Sequence, residues 1–276
     1  MSLPDLGILR RNWPGFEDPA RTRVVRVGGV VLGGPRPVMA AGPCAVESYA
    51  QALAVARAVR EAGGDMLRGG AFKPRTNPHS FQGLGREGLR ILSQVGRETG
   101  LPVVTEALDP RHVELVAAHA DMIQVGSRSM QNFPLLTEVG RAGKPVLLKR
   151  GWAATLEEWL CAAEYVLLAG NADIVFCERG VRTGCQGGYA ASVLDLNVLQ
   201  PLRAATPLPV IVDPSHAAGH WTRVAALSRA ALAAGAHGLL VEVVEEGADR
   251  TRLRSDAEQG VPPGVLREIV AARVTA

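Results

Sequence analysis

Two short segments carry the side chains most suited to chemistry. Cys44 sits in Gly42-Pro43-Cys44-Ala45-Val46-Glu47-Ser48, and Lys73-Pro74-Arg75-Thr76 follows the next apolar run. Arg68, Arg128, Lys149, Arg179 and Arg182 also fall within a few residues of short apolar runs. Forked guanidinium groups match phosphate and carboxylate oxygens, so side chains of this kind brought together would bind a ligand with more than one anionic group. Cys44, His216, Glu242 and Asp256 add a thiol, an imidazole and two carboxylates. Such a set suits a mixed divalent metal site with room for a water or a substrate oxygen. Their separation in sequence is not diagnostic. Taken singly, Cys44 reads as a small buried apolar residue and His216 as a hydrogen-bonded loop histidine. Each cation likewise reads as a rim residue paired with Glu47, Glu106, Asp109 or Glu178.

Something must bring these residues together, and the chain supplies it. From Val38 onward, short apolar runs alternate with longer amphipathic stretches, the pattern of repeated βα units. Strands are expected at Val38 to Ala41, Asp65 to Leu67, Pro102 to Thr105, Met122 to Val125, Pro145 to Leu148, Ile174 to Cys177, Pro209 to Val212 and Gly238 to Glu242. Helix signals lie between them: a run from Ala50 to Ala62 ends at Gly63-Gly64, Thr155 precedes Glu157 and Glu158, and Gly235 closes another helix. Eight units imply an α/β fold of the closed (β/α)8 TIM barrel type, with the residues after each strand converging on one mouth. That rim gathers Cys44; Arg68, Lys73 and Arg75; Glu106 and Asp109; Gln124, Arg128 and Gln131; Lys149 and Arg150; Glu178, Arg179 and Arg182; Asp213 and His216; Glu242 and, further on, Asp256.

Val24 to Leu32 alternates apolar residues around Gly28-Gly29, a short N-terminal β-hairpin expected to plug the bottom of the barrel. The expected organisation is an N-terminal arm over 1–23 and a catalytic domain over 24–276 that includes the hairpin at 24–34. In the arm, Trp13 and Phe16 are candidates to dock on the body or a neighbouring subunit, against a loosely ordered terminus. The chain has 276 residues, 47% of them hydrophobic, enough for one large core. A net charge of +3 without blocks of like charge gives no sign of a nucleic-acid or membrane partner, and no apolar run is long enough to span a bilayer. Cys44, Cys161, Cys177 and Cys185 show no C-x-x-C spacing, which suits a reducing, cytoplasmic home. Cys161 and Cys177 read as packing residues.

Several segments together are specific. Gly42 to Ser48, Leu67 to Thr76, Ser80-Phe81-Gln82-Gly83-Leu84-Gly85, Met130-Gln131-Asn132, Leu148-Lys149-Arg150-Gly151, Cys177-Glu178-Arg179-Gly180 and Asp213-Pro214-Ser215-His216 resemble 3-deoxy-D-arabino-heptulosonate 7-phosphate (DAHP) synthase. The pattern is that of the type I beta subfamily, and the likeness runs from about Val24 to Val270. The resemblance implies metal-dependent, aldol-like condensation of phosphoenolpyruvate with erythrose 4-phosphate, giving DAHP and phosphate at the first step of the shikimate pathway. It implies that Gly126, Ser127, Arg128, Lys149 and Arg179 hold phosphoenolpyruvate, with Arg68, Lys73 and Glu106 at its reacting end. Lys73, Pro74, Arg75 and Thr76 would receive erythrose 4-phosphate. Cys44, His216, Glu242 and Asp256 match the family's ligands for one divalent ion, with Mn, Fe, Co, Zn and Cu all compatible. Lys73 is implied as a proton donor, and Glu106 or a metal-linked water as the group handling the attacking water. A homodimer or homotetramer is implied as well.

Two stretches depart from that pattern. Where the family has a Thr-Arg-Asn element before Leu-Asp, this chain runs Gly184-Cys185-Gln186-Gly187-Gly188-Tyr189-Ala190-Ala191-Ser192-Val193-Leu194-Asp195. The loop from Glu246 to Asp256 is longer and more basic than expected; Asp256 aligns through Ser255-Asp256, with Asp249 as its substitute. A different aldose acceptor such as arabinose 5-phosphate, as used by 3-deoxy-D-manno-octulosonate 8-phosphate synthase, therefore stays open. So do a Schiff-base aldolase working through Lys149 and a catalytically silent phosphoenolpyruvate-binding barrel. No ferredoxin-like or chorismate mutase segment fits before Val24 or after Val270, so feedback control through a built-in domain is not expected. A separate regulatory partner such as chorismate mutase remains compatible.

Overall fold

A computed structural model describes Phe16, Asp18 and residues 21–183, 192–256 and 258–274. The chain opens with an antiparallel hairpin, β1 (Val25–Val27) and β2 (Val30–Leu32). Eight parallel strands follow: β3 (Val38–Gly42), β4 (Met66–Arg68), β5 (Val103–Glu106), β6 (Met122–Val125), β7 (Val146–Lys149), β8 (Ile174–Glu178), β9 (Val210–Val212) and β10 (Gly238–Glu242). They pair in sequence order, and β10 returns to β3 to close the barrel. Around them lie α1 (Tyr49–Glu61), α2 (Arg86–Thr99), α3 (Val113–Ala117), α4 (Phe133–Arg141), α5 (Leu156–Leu168), α6 (Leu199–Ala205), α7 (Pro214–Ala218), α8 (Val224–Ala233) and α9 (Pro263–Ala271).

All eight expected strands are present, each end within one residue of its expected place. Where the expectation began a strand at Pro102, Pro145 or Pro209, the strand starts one residue later, because proline has no N–H for the ladder. Each proline carbonyl still accepts from the neighbouring strand, at 2.9 Å from the amides of Leu67, Ile123 and Phe176. The helix signals hold too. Ser48 accepts from the Gln51 amide at the start of α1, and Thr155 and Glu158 form a reciprocal capping box at the start of α5.

Side chains alternate across each strand. One set (Met39, Leu67, Val103, Ile123, Leu148, Phe176, Val212, Val241) joins the core shared with the helices. There Trp159 of α5 meets Phe176 edge-on at 4.8 Å and donates its indole N–H to the Leu148 carbonyl. The other set (Ala40, Met66, Val104, Met122, Leu147, Cys177, Ile211, Leu240) fills the barrel together with Val25, Val27 and Leu32 of the hairpin. The hairpin sits at the N-terminal ends of the strands: the Arg23 amide donates to the Pro207 carbonyl, and the Thr22 hydroxyl lies 3.5 Å from His237 Nε2. This is the plug read from the sequence. Phe16, from the arm, is 2% exposed and packs in the outer core, whereas Trp13 lies outside the described residues.

His237 is built into this lower end. Its Nδ1 accepts the Val210 amide at 3.1 Å, which requires an unprotonated nitrogen. Burial pulls its pKa down to about 4, and the nearby Arg203 charge pushes the same way. No helix among the described residues is long and apolar enough to cross a membrane.

Candidate active site

Two residues above the apolar layer that fills the barrel, the inward register turns polar. Met66 is followed on that face by Arg68, Val104 by Glu106, Met122 by Gln124, Leu147 by Lys149, Cys177 by Arg179, Ile211 by Asp213 and Leu240 by Glu242. A period of two thus stacks a charged layer directly on a packed apolar one. Above it opens a cavity of about 420 Å³ at the C-terminal end of the strands. Its wall includes Cys44, Arg68, Lys73, Pro74, Arg75, Thr76, Glu106, Gly126, Ser127, Arg128, Lys149, Arg179, His216 and Asp256. Glu242 is 1% exposed and lies behind this wall, lining a smaller adjoining cleft with Cys44 and Asp256.

On one side the charges answer one another. Lys73 Nζ lies 2.8 Å from Cys44 Sγ and 3.0 Å from Asp256 Oδ2, and Arg75 reaches the other Asp256 oxygen at 2.8 Å. Arg68 spans Glu242 Oε1 at 3.1 Å and the Pro43 carbonyl at 2.7 Å. Gln259 donates to the second Glu242 oxygen at 2.6 Å. His216 Nδ1 meets Asp213 Oδ2 at 2.7 Å while its Nε2 stands 3.5 Å from Glu242 Oε1. Asp213 also takes Lys149 Nζ at 2.5 Å.

Burial and charge shift these groups in opposing ways. Burial, then the Glu242 carboxylate, push the Cys44 thiol up to about 11. Burial works against the Lys73 ammonium, yet Cys44, Glu242 and Asp256 hold it above its ordinary value. Asp213 overcomes its own burial and stays well below the carboxylate range because His216 and Lys149 flank it. Glu106 goes the other way: burial raises it, although Lys149 and Lys73 pull against the rise. Its carboxylate accepts from Gln124 at 3.0 Å and lies over Gly126, where a Cβ would come within 2.0 Å of Oε1. Any larger residue there would have to push this carboxylate aside.

The opposite side is different. Arg128 donates to the Pro74 carbonyl at 2.8 Å, and Arg179 donates to Ser192 Oγ at 3.2 Å. Among the described residues neither forms an ion pair with a carboxylate. Trp152 lies between them on the cavity wall. Arg68 Nε and Ser127 Oγ are buried without a hydrogen-bond partner, and both residues line the cavity.

Several rim residues read from the sequence lie elsewhere. Arg150 is out of the inward register and pairs with Glu178 and Asp195, at 3.2 and 2.7 Å. Asp109 binds Arg111 at the surface, and Gln131 is exposed. Asp249 caps its own turn and pairs with Arg252, lining neither cavity, while Asp256 faces Lys73. The carboxylate of Glu47 accepts the Arg254 and Ser255 amides and the Ser255 hydroxyl, so it ties down the loop that carries Asp256. Sequence reasoning missed Trp152, Gln259 and this role of Glu47. Proximity was the available signal: Trp152 follows Lys149 by three positions, and Gln259 follows Asp256 by three. The departure at 184–191, Cys185 included, lies outside the described residues.

Among the described residues, no three of His, Cys, Asp and Glu form a ready-made metal cage. Cys44, His216, Glu242 and Asp256 nevertheless crowd one edge of the cavity as S, N and O donors, a set that fits a divalent ion of borderline softness. Such an ion would compete with Lys73 for Cys44 and Asp256 and displace the thiol proton.

A (β/α)8 barrel with buried cations around one mouth is the architecture of an enzyme whose site sits at the C-terminal ends of its strands. The chain belongs to the DAHP synthetase I family, which matches residues 20–272. It is 44% identical over 247 residues to the phospho-2-dehydro-3-deoxyheptonate aldolase of Thermotoga maritima, covering 90% of this chain and 72% of that one. The 2-dehydro-3-deoxyphosphooctonate aldolase of Syntrophotalea carbinolica is 36% identical over 238 residues, covering 79% and 84%. The crystal structure of the Thermotoga maritima phospho-2-dehydro-3-deoxyheptonate aldolase (DAHP synthase) superimposes with a TM-score of 0.86 at 43% identity, covering 91% of this chain and 72% of that one. A truncated form of the 3-deoxy-D-arabino-heptulosonate 7-phosphate synthase from the same organism gives 0.83 at 39% identity, covering 91% and 90%.

Proposed function

We propose that this enzyme condenses phosphoenolpyruvate with erythrose 4-phosphate to give DAHP and inorganic phosphate. The observation that carries the reading is the cavity side on which Arg128 and Arg179 lack carboxylate partners and Ser127 Oγ is buried without any, with the unpartnered Nε of Arg68 across the same cavity. Those groups, with Lys149, suit the phosphate and carboxylate of phosphoenolpyruvate. Lys73, Arg75 and Thr76, nearer the opening, suit the phosphorylated aldose.

In this reading C3 of phosphoenolpyruvate attacks the aldehyde carbon, water adds at C2, and C–O cleavage then releases phosphate. A divalent ion held by Cys44, His216, Glu242 and Asp256 would polarise the aldehyde. Lys73 keeps its proton against water, but the alkoxide formed from the aldehyde is a stronger base than an ammonium, so proton transfer runs downhill. Glu106, raised by burial, is suited to take a proton from the attacking water. Asp213 fixes the His216 ring and holds Lys149 Nζ in a buried contact at 2.5 Å, an arrangement that suits Lys149 to binding an anion better than to acting as a Schiff-base nucleophile.

The likeness to 2-dehydro-3-deoxyphosphooctonate aldolases favours a second acceptor, arabinose 5-phosphate, with the same donor chemistry. Phosphate release from phosphoenolpyruvate across a panel of aldose phosphates, with and without chelator, tests both. Turnover with erythrose 4-phosphate at least tenfold above the five-carbon sugar is expected. Preference for arabinose 5-phosphate would reassign the acceptor, and no release with any aldose would leave a binding protein.

A further inference from the structure

Three arginines from two different strand ends meet on one indole ring. The guanidinium carbons of Arg182, Arg128 and Arg179 lie 4.0, 5.0 and 5.8 Å from the centroid of Trp152. Trp152 itself follows β7, and its carbonyl accepts the Arg182 amide at 2.8 Å, which locks the loop after β7 to the loop after β8. Like charges this close repel one another, and among the described residues none of the three pairs with a carboxylate. The negative face of the indole is what offsets that repulsion without neutralising the positive charge. A glutamate in the same place would gather the arginines equally well but would compete with an incoming anion.

We infer that Trp152 is a positioning residue: it holds Arg128 and Arg179 in a conformation ready for a phosphate monoester and sets the affinity of that subsite. The inference rests on the proposed use of this side of the cavity for phosphoenolpyruvate. Arg179 is 8% exposed, and burial draws its guanidinium below the ordinary value, a shift opposed by an aromatic face that favours its charged form. Arg182 is exposed and carries the same field outward from the mouth.

The test compares Trp152→Phe, Trp152→Leu and Trp152→Ala in the full-length, metal-loaded protein. Calorimetric titration with inorganic phosphate and with phosphoenolpyruvate reads the subsite without requiring turnover. Steady-state kinetics then separate KM from kcat. Phe keeps an aromatic face, Leu keeps comparable bulk without one, and both guard against a collapse that Ala alone might cause. Expected is a loss of about tenfold in affinity for both anions in Leu and Ala, with Phe within about threefold of wild type. The KM for phosphoenolpyruvate should rise by the same factors while kcat changes by less than about twofold. Leu binding as tightly as wild type, Phe binding as weakly as Leu, or a wild-type protein that does not bind phosphate would each overturn the inference. Should every aldose fail as acceptor, the proposed reaction falls, yet the anion titrations still decide the role of Trp152.

Discussion

The two sides of the cavity are built from the same residue types to opposite ends. Around Cys44, Lys73, His216, Glu242 and Asp256 every charge meets a counter-charge within 3.5 Å. Around Trp152 the cations are held by carbonyls, a hydroxyl and an aromatic ring, and their charge is left over. A self-neutralised cluster can exchange one cation for another at little electrostatic cost. A cluster with surplus charge gains stability when an anion arrives. In the proposed reaction, that difference would divide a site for a metal and the acceptor from a site for the anionic donor.

That separation can be broken experimentally. Chelation should cut turnover by about a thousandfold, restored by divalent ions, while inorganic phosphate affinity stays within about twofold; a parallel loss of phosphate binding would merge the two sides into one. Arg179→Met should raise the KM for phosphoenolpyruvate about a hundredfold with metal affinity unchanged, checked by kinetics and metal titration. Glu47→Ala releases the loop bearing Asp256 and should weaken metal binding and turnover by about tenfold without moving phosphate affinity. The smallest effect belongs to the far end of the barrel. His237 stays neutral when folded, so the unfolded chain binds its proton first and stability falls as pH drops below the ordinary histidine value, levelling off near about 4. Denaturant titrations should lose up to about 1 kcal/mol between about pH 7 and 6 from this residue. His237→Asn should flatten that slope and leave both sides of the cavity unaffected.

Much of this was legible before any coordinates. Apolar runs after Pro102, Pro145 and Pro209 marked strands to within one residue, and the charged residues after them marked the mouth. Register decided the rest. Lys149 and Arg150 are adjacent in sequence, but the first continues the inward face from Leu147 while the second turns away to Glu178. Following that period of two upward from each inward apolar residue would have separated them. Trp152 could not be found this way, because its partners come from other strand ends and a cation–π contact leaves no mark on local spacing. Glu47 was hidden for the same reason: its partners are backbone amides 207 and 208 residues away.

The hairpin under the barrel has a consequence for synthesis. β1 and β2 leave the ribosome before the barrel strands, yet the residues that flank them, Arg23, Gly33 and Thr22, sit against Pro207, Pro209 and His237, which are made near the end. Val25, Val27 and Leu32 must therefore wait, exposed, through most of translation. A chain stalled after β8 is expected to be cut by protease within the hairpin, and a completed chain to resist; equal resistance in both would mean that the hairpin finds an earlier shelter. Two of the earliest strands made are among the last fully housed.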